Sequence, residues 1–437
     1  MADDGFASLE ARVFDMLDSK LGKMHEEEDI RKYIEGVVKA VDPAADQSKI
    51  ERIVKDAKTF EPIDRYLYDE SVEDIMVNNT KNVFTYKSPD GDIMAPEKIA
   101  TREELEMFVR KLRMYATSET ASKHIYDVHL PNGSRCNIVD SPLGPAITIR
   151  NFKPKAFSII DLINSGELSY QLAARFWLYA DGLGVRPANL LVGGMPGSGK
   201  TSIINAMFSF FRPEARILVL EETYEINTST QENCVNLETS PEVSLEDLLK
   251  NALRMRPDLV IIGEVRGAEA KDMIAAMTIG KIVMSTIHAN TARDIVTRLE
   301  HDPMKISRDT IPLIDALAVV AQVNIEHKKH RKIVQVAETS GIETQVLLSD
   351  LYTYDYKTQM ASDILPSVTY RDVLSKATGF SPTEIIVEEK RRAKVLEKLN
   401  RAGVRDLRSI NEFCRGYYDN QARALAKLGL QELGTME

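Results

Sequence analysis

The sequence predicts an α/β fold: a mostly parallel sheet with helices on both faces, preceded by an α+β domain and flanked by helical segments. Residues 190–211, LLVGGMPGSGKTSIINAMFSFF, join an apolar strand to an amphipathic helix through a glycine-rich turn. Residues 216–226 and 256–267 are two further apolar runs that end in acidic residues. Short apolar strands alternate with helices from Ile159 to about His330, which is typical of a sheet buried on both faces.

The elements before this region follow a different order. Residues 7–57 show helical periodicity broken by acidic turns, which favours a small helical bundle. From Val72 the runs VEDIMVNN and NVFTYKSPDGDIM predict strands, with a turn at residues 89–91. Residues 102–116 predict a helix, and YDVHLPNGSRCNIVD and PAITIRNF predict two more strands around an Asn-Gly turn.

The C-terminal part is predicted to be a hairpin followed by helices. Residues 331–359 have the pattern of a hairpin, and charged helical segments run from Tyr370 to the end. In PTEIIVEEKRRAKVLEKLNRAGV the mixed charges favour a solvent-exposed helix face, and a dedicated partner site is the alternative.

Composition limits the classes of function. The chain has 437 residues, is 43% hydrophobic and 28% charged, and carries a net charge of −10, which argues against a protein that coats nucleic acid. The three cysteines are far apart, so neither a zinc site nor a disulfide framework is indicated. No apolar run approaches the roughly 18 residues of a membrane span, and the N-terminus lacks a signal-peptide core. We therefore expect a cytoplasmic protein that reaches a membrane only through a partner.

The glycine-rich turn matches a phosphate-binding loop. Gly194, Gly199, Lys200 and Thr201 fit the pattern G-x-x-x-x-G-K-[ST] between a predicted strand and a predicted helix. Bare glycines let backbone N–H groups surround the phosphates, the lysine adds a positive charge and the threonine hydroxyl can bind Mg²⁺. The predicted nucleotide-binding residues are Gly194, Met195, Pro196, Gly197, Ser198, Gly199, Lys200, Thr201 and Ser202.

Carboxylates follow two of the later strands. Glu221, Glu222 and Glu225 follow the first, where one of them could orient Mg²⁺ or polarise the attacking water. Glu264 ends the second strand in the position of a Walker B acid and, with Thr201, is the predicted metal ligand. The alternative is that these acids are surface residues of strand-to-loop turns.

His288 follows a third apolar stretch, Ile282 to Met284. A single histidine there is usually a core residue, but the neighbouring motifs favour a role in the site.

The ordered set GGMPGSGKT, LEETYEI, RPDLVIIGEVR and STIHANTARD resembles the type II/type IV secretion ATPase superfamily, over about residues 60 to 355. VEDIMVNN, ITIRNF and HANTARDIVTRLE are most similar to the tight-adherence (Tad, Cpa) pilus ATPases and to archaeal pilus and archaellum motor ATPases. The resemblance implies a RecA-like P-loop ATPase domain after an α+β sensor-like domain. The implied division is a helical region at 1–60, the α+β domain at 61–150, a linker at 151–158, the ATPase domain at 159–360 and a helical region at 361–437.

The resemblance also implies activity, cofactors and partners. It predicts a homo-hexameric motor that hydrolyses ATP with Mg²⁺, acts on a membrane platform protein, and serves pilin assembly or a secretion machinery without binding nucleic acid. Arginines from the N-terminal domain complete the family's site, and Arg135 and Arg150 are the candidates here, with Arg113 a weaker third. Arg266 could brace the Walker B strand or reach a neighbouring subunit.

The chain departs from the family pattern at several points. Glu221-Glu222 replaces the usual Glu-Asp, and Lys281 and Val283 replace residues common upstream of the His box. The four-cysteine zinc module of many relatives is absent from the sequence, which favours the Tad-like or archaeal branch. A type IV secretion ATPase for conjugation or effectors and a RecA-like DNA translocase are the alternatives, and an acidic net charge argues mildly against the translocase.

Overall fold

The computed structural model describes the chain apart from residues 1, 23, 25–26, 88–90, 97, 100, 117–123, 152–155, 241, 327, 363 and 431–437. The chain divides into two compact units. The first unit is Met1–Lys153 with His327–Lys329, and the second is Pro154–Glu326 with His330–Glu437. Residues 89 and 90 of the turn predicted at 89–91 and residues 152–155 of the linker predicted at 151–158 lie outside the described residues, and the predicted domain boundaries stay predictions.

The first unit begins with helices, as the periodicity predicts. These are α1 (Ala2–Leu17), α2 (Glu27–Val41), α3 (Gln47–Lys58), the short α4 (Asp64–Leu67) and, further along the chain, α5 (Arg102–Arg113). Side chains of Asp46 and Thr101 accept the N–H groups of Lys49 and Glu104 and so cap α3 and α5. Their apolar faces share one core with the sheet of this unit.

That sheet is antiparallel and has six strands in the order β3-β2-β1-β6-β5-β4. The strands are β1 (Asp74–Val77), β2 (Val83–Lys87), β3 (Gly91–Met94), β4 (Ile125–His129), β5 (Arg135–Ser141) and β6 (Gly144–Arg150). The segment 126–140, predicted to be one strand, forms β4 and β5, because Gly133 takes a φ of +84° in the Asn-Gly turn between them. The region therefore has three strands where two were predicted.

The second unit is built on a nine-stranded sheet in the order β15-β14-β13-β12-β7-β11-β10-β8-β9. The strands from β12 to β9 in that order are parallel to their neighbours. They are β7 (Leu190–Gly193), β8 (Ile217–Glu221), β9 (Cys234–Glu238), β10 (Leu259–Ile262), β11 (Ile282–Ile287) and β12 (Ala316–Ile325). The predicted α/β fold with a mostly parallel sheet is confirmed.

Antiparallel strands extend the sheet beyond β12. They are β13 (Lys328–Ile342), β14 (Val346–Asp355) and the short β15 (Met360–Ala361). β13 and β14 form the hairpin predicted at residues 331–359.

Helices cover both faces of this sheet. Alternate strand residues show it: Val192 and Val219 belong to one hydrophobic cluster, and Leu191 and Leu220 belong to another on the opposite face. The helices of the second unit that precede the hairpin are α6 (Ile159–Asn164), α7 (Tyr170–Asp181), α8 (Lys200–Met207), α9 (Leu245–Ala252), α10 (Glu269–Thr278) and α11 (Ala292–Glu300). Two 3₁₀ helices, Gly182–Gly184 and Arg308–Leu313, complete this set.

The C-terminal helices share the core of the second unit. They are α12 (Thr369–Thr378), α13 (Pro382–Arg401), α14 (Leu407–Asp419) and α15 (Gln421–Lys427). The solvent-exposed face predicted from the mixed charges of α13 is present at Lys390, Lys394, Lys398 and Arg401, whereas Glu388 and Arg392 are buried and Arg392 pairs with Asp181 of α7. One face of α13 is therefore exposed, and the buried charges pair with another helix of the same unit.

Candidate functional site

The glycine-rich turn follows β7 and opens α8, as the motif requires. Gly197 and Gly199 take φ angles of +72° and +103°, which favour glycine. At Gly194 an added Cβ would lie 2.5 Å from the carbonyl oxygen of Val320 on β12, closer than real contacts allow. The loop conformation therefore depends on these three glycines.

Two side chains from outside the motif hold the loop. Gln322 Nε2 donates to the Gly197 carbonyl at 3.0 Å, and Arg331 Nε donates to the same oxygen at 3.1 Å. These residues lie on β12 and β13, more than 100 positions away in sequence, so no local spacing could have predicted them. The basic run at 328–332 was the only sequence signal near one of them.

Lys200 occupies the first position of α8 and is mostly buried. Its Nζ lies 3.4 Å from the Met195 carbonyl oxygen and 3.2 Å from His288 Nδ1. His288 Nδ1 is also 3.2 Å from the Gly194 carbonyl oxygen. The lysine and the histidine therefore meet at the mouth of the loop, at the carboxyl ends of β7 and β11.

Glu264 follows β10 and completes a chain of polar contacts. Its Oε1 is 2.7 Å from His288 Nε2, and its Oε2 is 2.8 Å from Arg266 Nη2. Arg266 also pairs with Glu222, at 3.1 Å between Nη1 and Oε2. The end of β10 and the loop after β8 are thereby connected to the phosphate loop through His288.

The three glutamates at the end of β8 and in the loop after it differ in their surroundings. Glu221 is buried, and its Oε1 accepts the backbone N–H groups of Glu225 and Ile226, each at 3.1 Å. Burial raises the pKa of Glu221 to about 8. Glu222 is exposed beside Arg266. Glu221 therefore stabilises the loop after β8 through these two backbone hydrogen bonds.

Glu225 is brought to the phosphate loop by this arrangement. Thr201 Oγ1 lies 3.4 Å from Glu225 Oε2. Asn205 of α8 fixes the approach, since its Nδ2 donates to the Glu225 carbonyl at 3.2 Å and its Oδ1 accepts the Asn227 N–H at 2.7 Å. Of the three acids, Glu225 is the one in contact with a predicted metal ligand.

The predicted arginines belong to the first unit, whereas the residues of the phosphate-loop site belong to the second. Arg135 on β5 and Arg150 on β6 are directly opposite each other in the strand register, which places both side chains on one face. Arg150 Nε is 3.3 Å from Asp74 Oδ1, and Arg113 pairs with Asp18 and stacks over the ring of Tyr126. The roles proposed for Arg135 and Arg150 stay predictions.

A family model described as type II/IV secretion system protein matches residues 56–337. The chain belongs to this family. The family is that of the secretion ATPases, and the α/β, RecA-like fold that the resemblance implied agrees with this membership. Among the described residues, each helix is too short or too polar to cross a membrane.

Similar proteins are found in archaea and bacteria. An uncharacterized protein of Methanocaldococcus jannaschii is 29% identical over 444 residues, which cover 97% of this chain and 76% of the relative. The conjugal transfer protein TrbB of Rhizobium radiobacter is 30% identical over 284 residues, which cover 63% of this chain and 86% of TrbB.

Two solved structures are also similar. The VirB11 ATPase from the Brucella suis type IV secretion system, in complex with sulphate, is 22% identical with a TM-score of 0.34, over 64% of this chain and 93% of VirB11. The pilus retraction motor PilT with bound ADP is 17% identical with a TM-score of 0.47, over 63% of this chain and 82% of PilT.

Proposed function

We propose that this secretion-family protein is a motor that hydrolyses ATP to ADP and phosphate. The observation that carries the proposal is the convergence of three strand ends on the phosphate loop. Lys200 contacts His288, and His288 contacts Glu264, within 3.2 Å and 2.7 Å. A cation at the loop and a carboxylate that can orient the attacking water are groups that phosphoryl transfer requires, and His288 lies between them.

Each residue has a separate task in this proposal. The loop amides and Lys200 bind the β- and γ-phosphates, and Glu264 orients the water that attacks the γ-phosphate in line. His288 holds Lys200 and Glu264 at a fixed separation. It also couples binding of the phosphate to the position of the Glu264 carboxylate. The protein supplies charge and position, since phosphoryl transfer to water needs no covalent intermediate with the protein.

The donors around the loop fit Mg²⁺ held mainly by phosphates. Mg²⁺ usually takes one or two protein oxygens together with phosphate oxygens and waters. Thr201 supplies a hydroxyl 3.4 Å from the Glu225 carboxylate, and Glu264 supplies a second carboxylate. Among the described residues no group of three His, Cys, Asp or Glu side chains could hold a metal alone. When bound, Mg²⁺ would neutralise charge on the phosphates.

We further propose that the motor is a hexamer that drives a membrane platform protein in assembly of a Tad-like or archaeal pilus. The archaeal relative supports this branch, because it is similar over 97% of this chain. Conjugation is the second candidate, since TrbB, a conjugal transfer protein, is 30% identical. Co-purification of the chain with a platform protein or with conjugation components would separate the two.

The site is tested by ATP turnover and nucleotide binding in two variants. Lys200→Ala should lose most ATP binding and all turnover, because it removes the lysine on the phosphates. Glu264→Gln should retain binding and lose turnover, roughly 10²-fold or more, because an amide polarises water poorly. Both are measured by phosphate release and by equilibrium binding of ATP.

Lys271→Ala is the matched control, because Lys271 is an exposed lysine of α10 in the same unit. It should behave as the wild type. Wild-type turnover in both Lys200→Ala and Glu264→Gln would show that the site is assigned wrongly.

A further inference from the structure

A buried carboxyl group lies behind the phosphate loop, outside the chain of contacts described above. Glu167 follows α6, and its side chain is only 5% exposed. An added Cβ at Gly199 would lie 3.0 Å from Glu167 Oε1. The carboxyl group is therefore packed against the last residue of the loop, immediately before Lys200.

The backbone fixes this carboxyl group in place. The Glu167 carbonyl accepts the N–H of Ile333 at 2.9 Å, and its own N–H donates to Leu162 at 3.0 Å. Lys332 Nζ donates to the neighbouring Gly166 carbonyl at 2.8 Å. Glu167 is thus held between the end of α6 and β13 and has little freedom to turn to solvent.

One oxygen of this carboxyl group lacks a hydrogen-bond partner. Among the described residues none donates to Glu167 Oε1, although the atom is buried. A buried carboxylate oxygen without a donor is costly, whereas a protonated carboxyl group needs less compensation. The geometry alone therefore disfavours the charged form.

Arg331 connects the carboxyl group to the loop. Its Cδ lies 3.2 Å from the Cβ position of Gly199, and its Nε holds the Gly197 carbonyl. In the part of the chain that the structure describes, the charged groups that face Glu167 are Arg331 and Lys332, both from β13. On α8 the residue against it is Gly199, and Lys200 directs its Nζ to His288.

We propose that Glu167 is a positioning residue whose charge state sets the affinity of the phosphate loop for nucleotide. This inference rests on the proposed nucleotide site. The N-terminus of α8 and the loop attract anions, and a buried negative charge against Gly199 opposes them. A charged Glu167 attracts the Arg331 guanidinium, so Arg331 balances less of the phosphate charge than it does beside a neutral Glu167.

The direction of the pH dependence follows. Burial raises the pKa of Glu167 to about 7, while Arg331 and Lys332 act to lower it. Bound phosphate adds negative charge and so raises this pKa further, which means that nucleotide binding takes up a proton near neutral pH. Affinity should therefore fall as the pH rises through about 7.

The test compares MgADP binding by the wild-type chain and Glu167→Gln at pH 6 and pH 8.5 by titration calorimetry. We expect the wild-type dissociation constant to rise roughly tenfold more than that of the variant, the size of a typical coupling between sites. Ionisation of ADP itself affects both proteins equally. Glu232→Gln is the matched control, because the Glu232 side chain is 91% exposed in the same unit, and it should keep the wild-type dependence.

Lys332→Met provides a second test that keeps Glu167 in place. Removing this facing cation should raise the pH at which affinity declines. Equal pH dependence in the wild-type chain and Glu167→Gln would overturn the inference, as would an unchanged midpoint in Lys332→Met if Glu167→Gln does not fold. Absence of MgADP binding by the wild-type chain at either pH would instead contradict the proposed nucleotide site.

Discussion

Glu221 shows how one buried acid can organise a loop at the site. It accepts two backbone N–H groups from the segment that carries Glu225, and burial raises its pKa from its usual 4.5 to about 8. The folded chain therefore favours its neutral form more than the unfolded chain does. Its contribution to stability is complete below pH 4.5 and is lost as the pH rises towards 8.

Glu221→Gln should remove this pH dependence, because glutamine stays neutral and retains an acceptor oxygen. Between pH 5.5 and pH 8.5 the free energy of unfolding of the wild-type chain should fall by on the order of 2 kcal/mol relative to that of the variant. Urea denaturation without nucleotide measures both. Glu232→Gln is the control, because its side chain is 91% exposed in the same unit, whereas the charge of Glu238, directly opposite Glu221 in the sheet register, itself raises the pKa of Glu221. An equal pH response in the wild-type chain and Glu221→Gln would contradict this account.

At the level of single residues, spacing predicts what one local segment places together. Gly194, Gly199 and Lys200 were predictable because the strand, the loop and the helix are contiguous. Gln322 and Arg331 were not, because strand pairing brings them to Gly197 across more than 100 positions. The three glutamates at and beyond the end of β8 were equivalent in sequence, and only burial and backbone contacts distinguish Glu221 from Glu225.

Among the elements, α13 and α7 are joined by a buried ion network. Arg392 pairs with Asp181 at 2.6 Å and with Glu388 at 2.9 Å, and all three side chains are buried. Arg212, just beyond α8, lies 3.7 Å from the same Asp181. The C-terminal helices are therefore tied to the helix layer that includes α8.

Arg392→Met should destabilise the second unit by about 3–5 kcal/mol, because it leaves Asp181 and Glu388 buried with less compensation. Arg401→Met is the matched control on the same helix, since Arg401 is exposed and pairs with Glu397 one turn away. Its cost should be below about 1 kcal/mol. Chemical denaturation measures both values, and similar losses in the two variants would show that the buried network contributes little.

At the level of elements, the hydrophobic pattern predicted those strands that are buried on both faces. Apolar runs of β7, β8, β10 and β11 were readable because both faces of these strands are buried. On α13 the charge pattern predicted the exposed face but not the buried pair, because charge pattern alone cannot separate an exposed residue from one that pairs with a buried charge on α7. The sequence holds no local signal for Asp181, which lies about 200 positions away.

At the scale of the whole molecule, the proposed hexamer makes a prediction about shared sites. Arg135→Ala and Arg150→Ala should each lower turnover about 10³-fold, as loss of an arginine finger does, with a much smaller effect on ATP binding. If these arginines act across subunits, mixing Lys200→Ala chains with Arg150→Ala chains should restore part of the activity. Phosphate release from the mixture, with subunit exchange followed by native mass spectrometry, measures this.

A mixture of Lys200→Ala and Lys200→Met chains is the control, because no interface in it has an intact phosphate loop. Full turnover in Arg135→Ala and Arg150→Ala would contradict a role for these arginines. Inactive single variants without recovery on mixing would place each arginine in the same chain as its nucleotide.

Trp177, which stacks on Phe210, is an intrinsic fluorescent probe. Trp177 is the only tryptophan in the sequence and is buried, with its ring parallel to Phe210 at 5.1 Å and its Nε1 donating to Tyr418 of α14 at 2.6 Å. The surroundings of the indole therefore include α7, the segment after α8 and a C-terminal helix. The emission wavelength of Trp177, excited selectively, therefore measures whether α14 is packed in place, without an added dye. If α14 separates and the indole is exposed to water, the emission moves to longer wavelength.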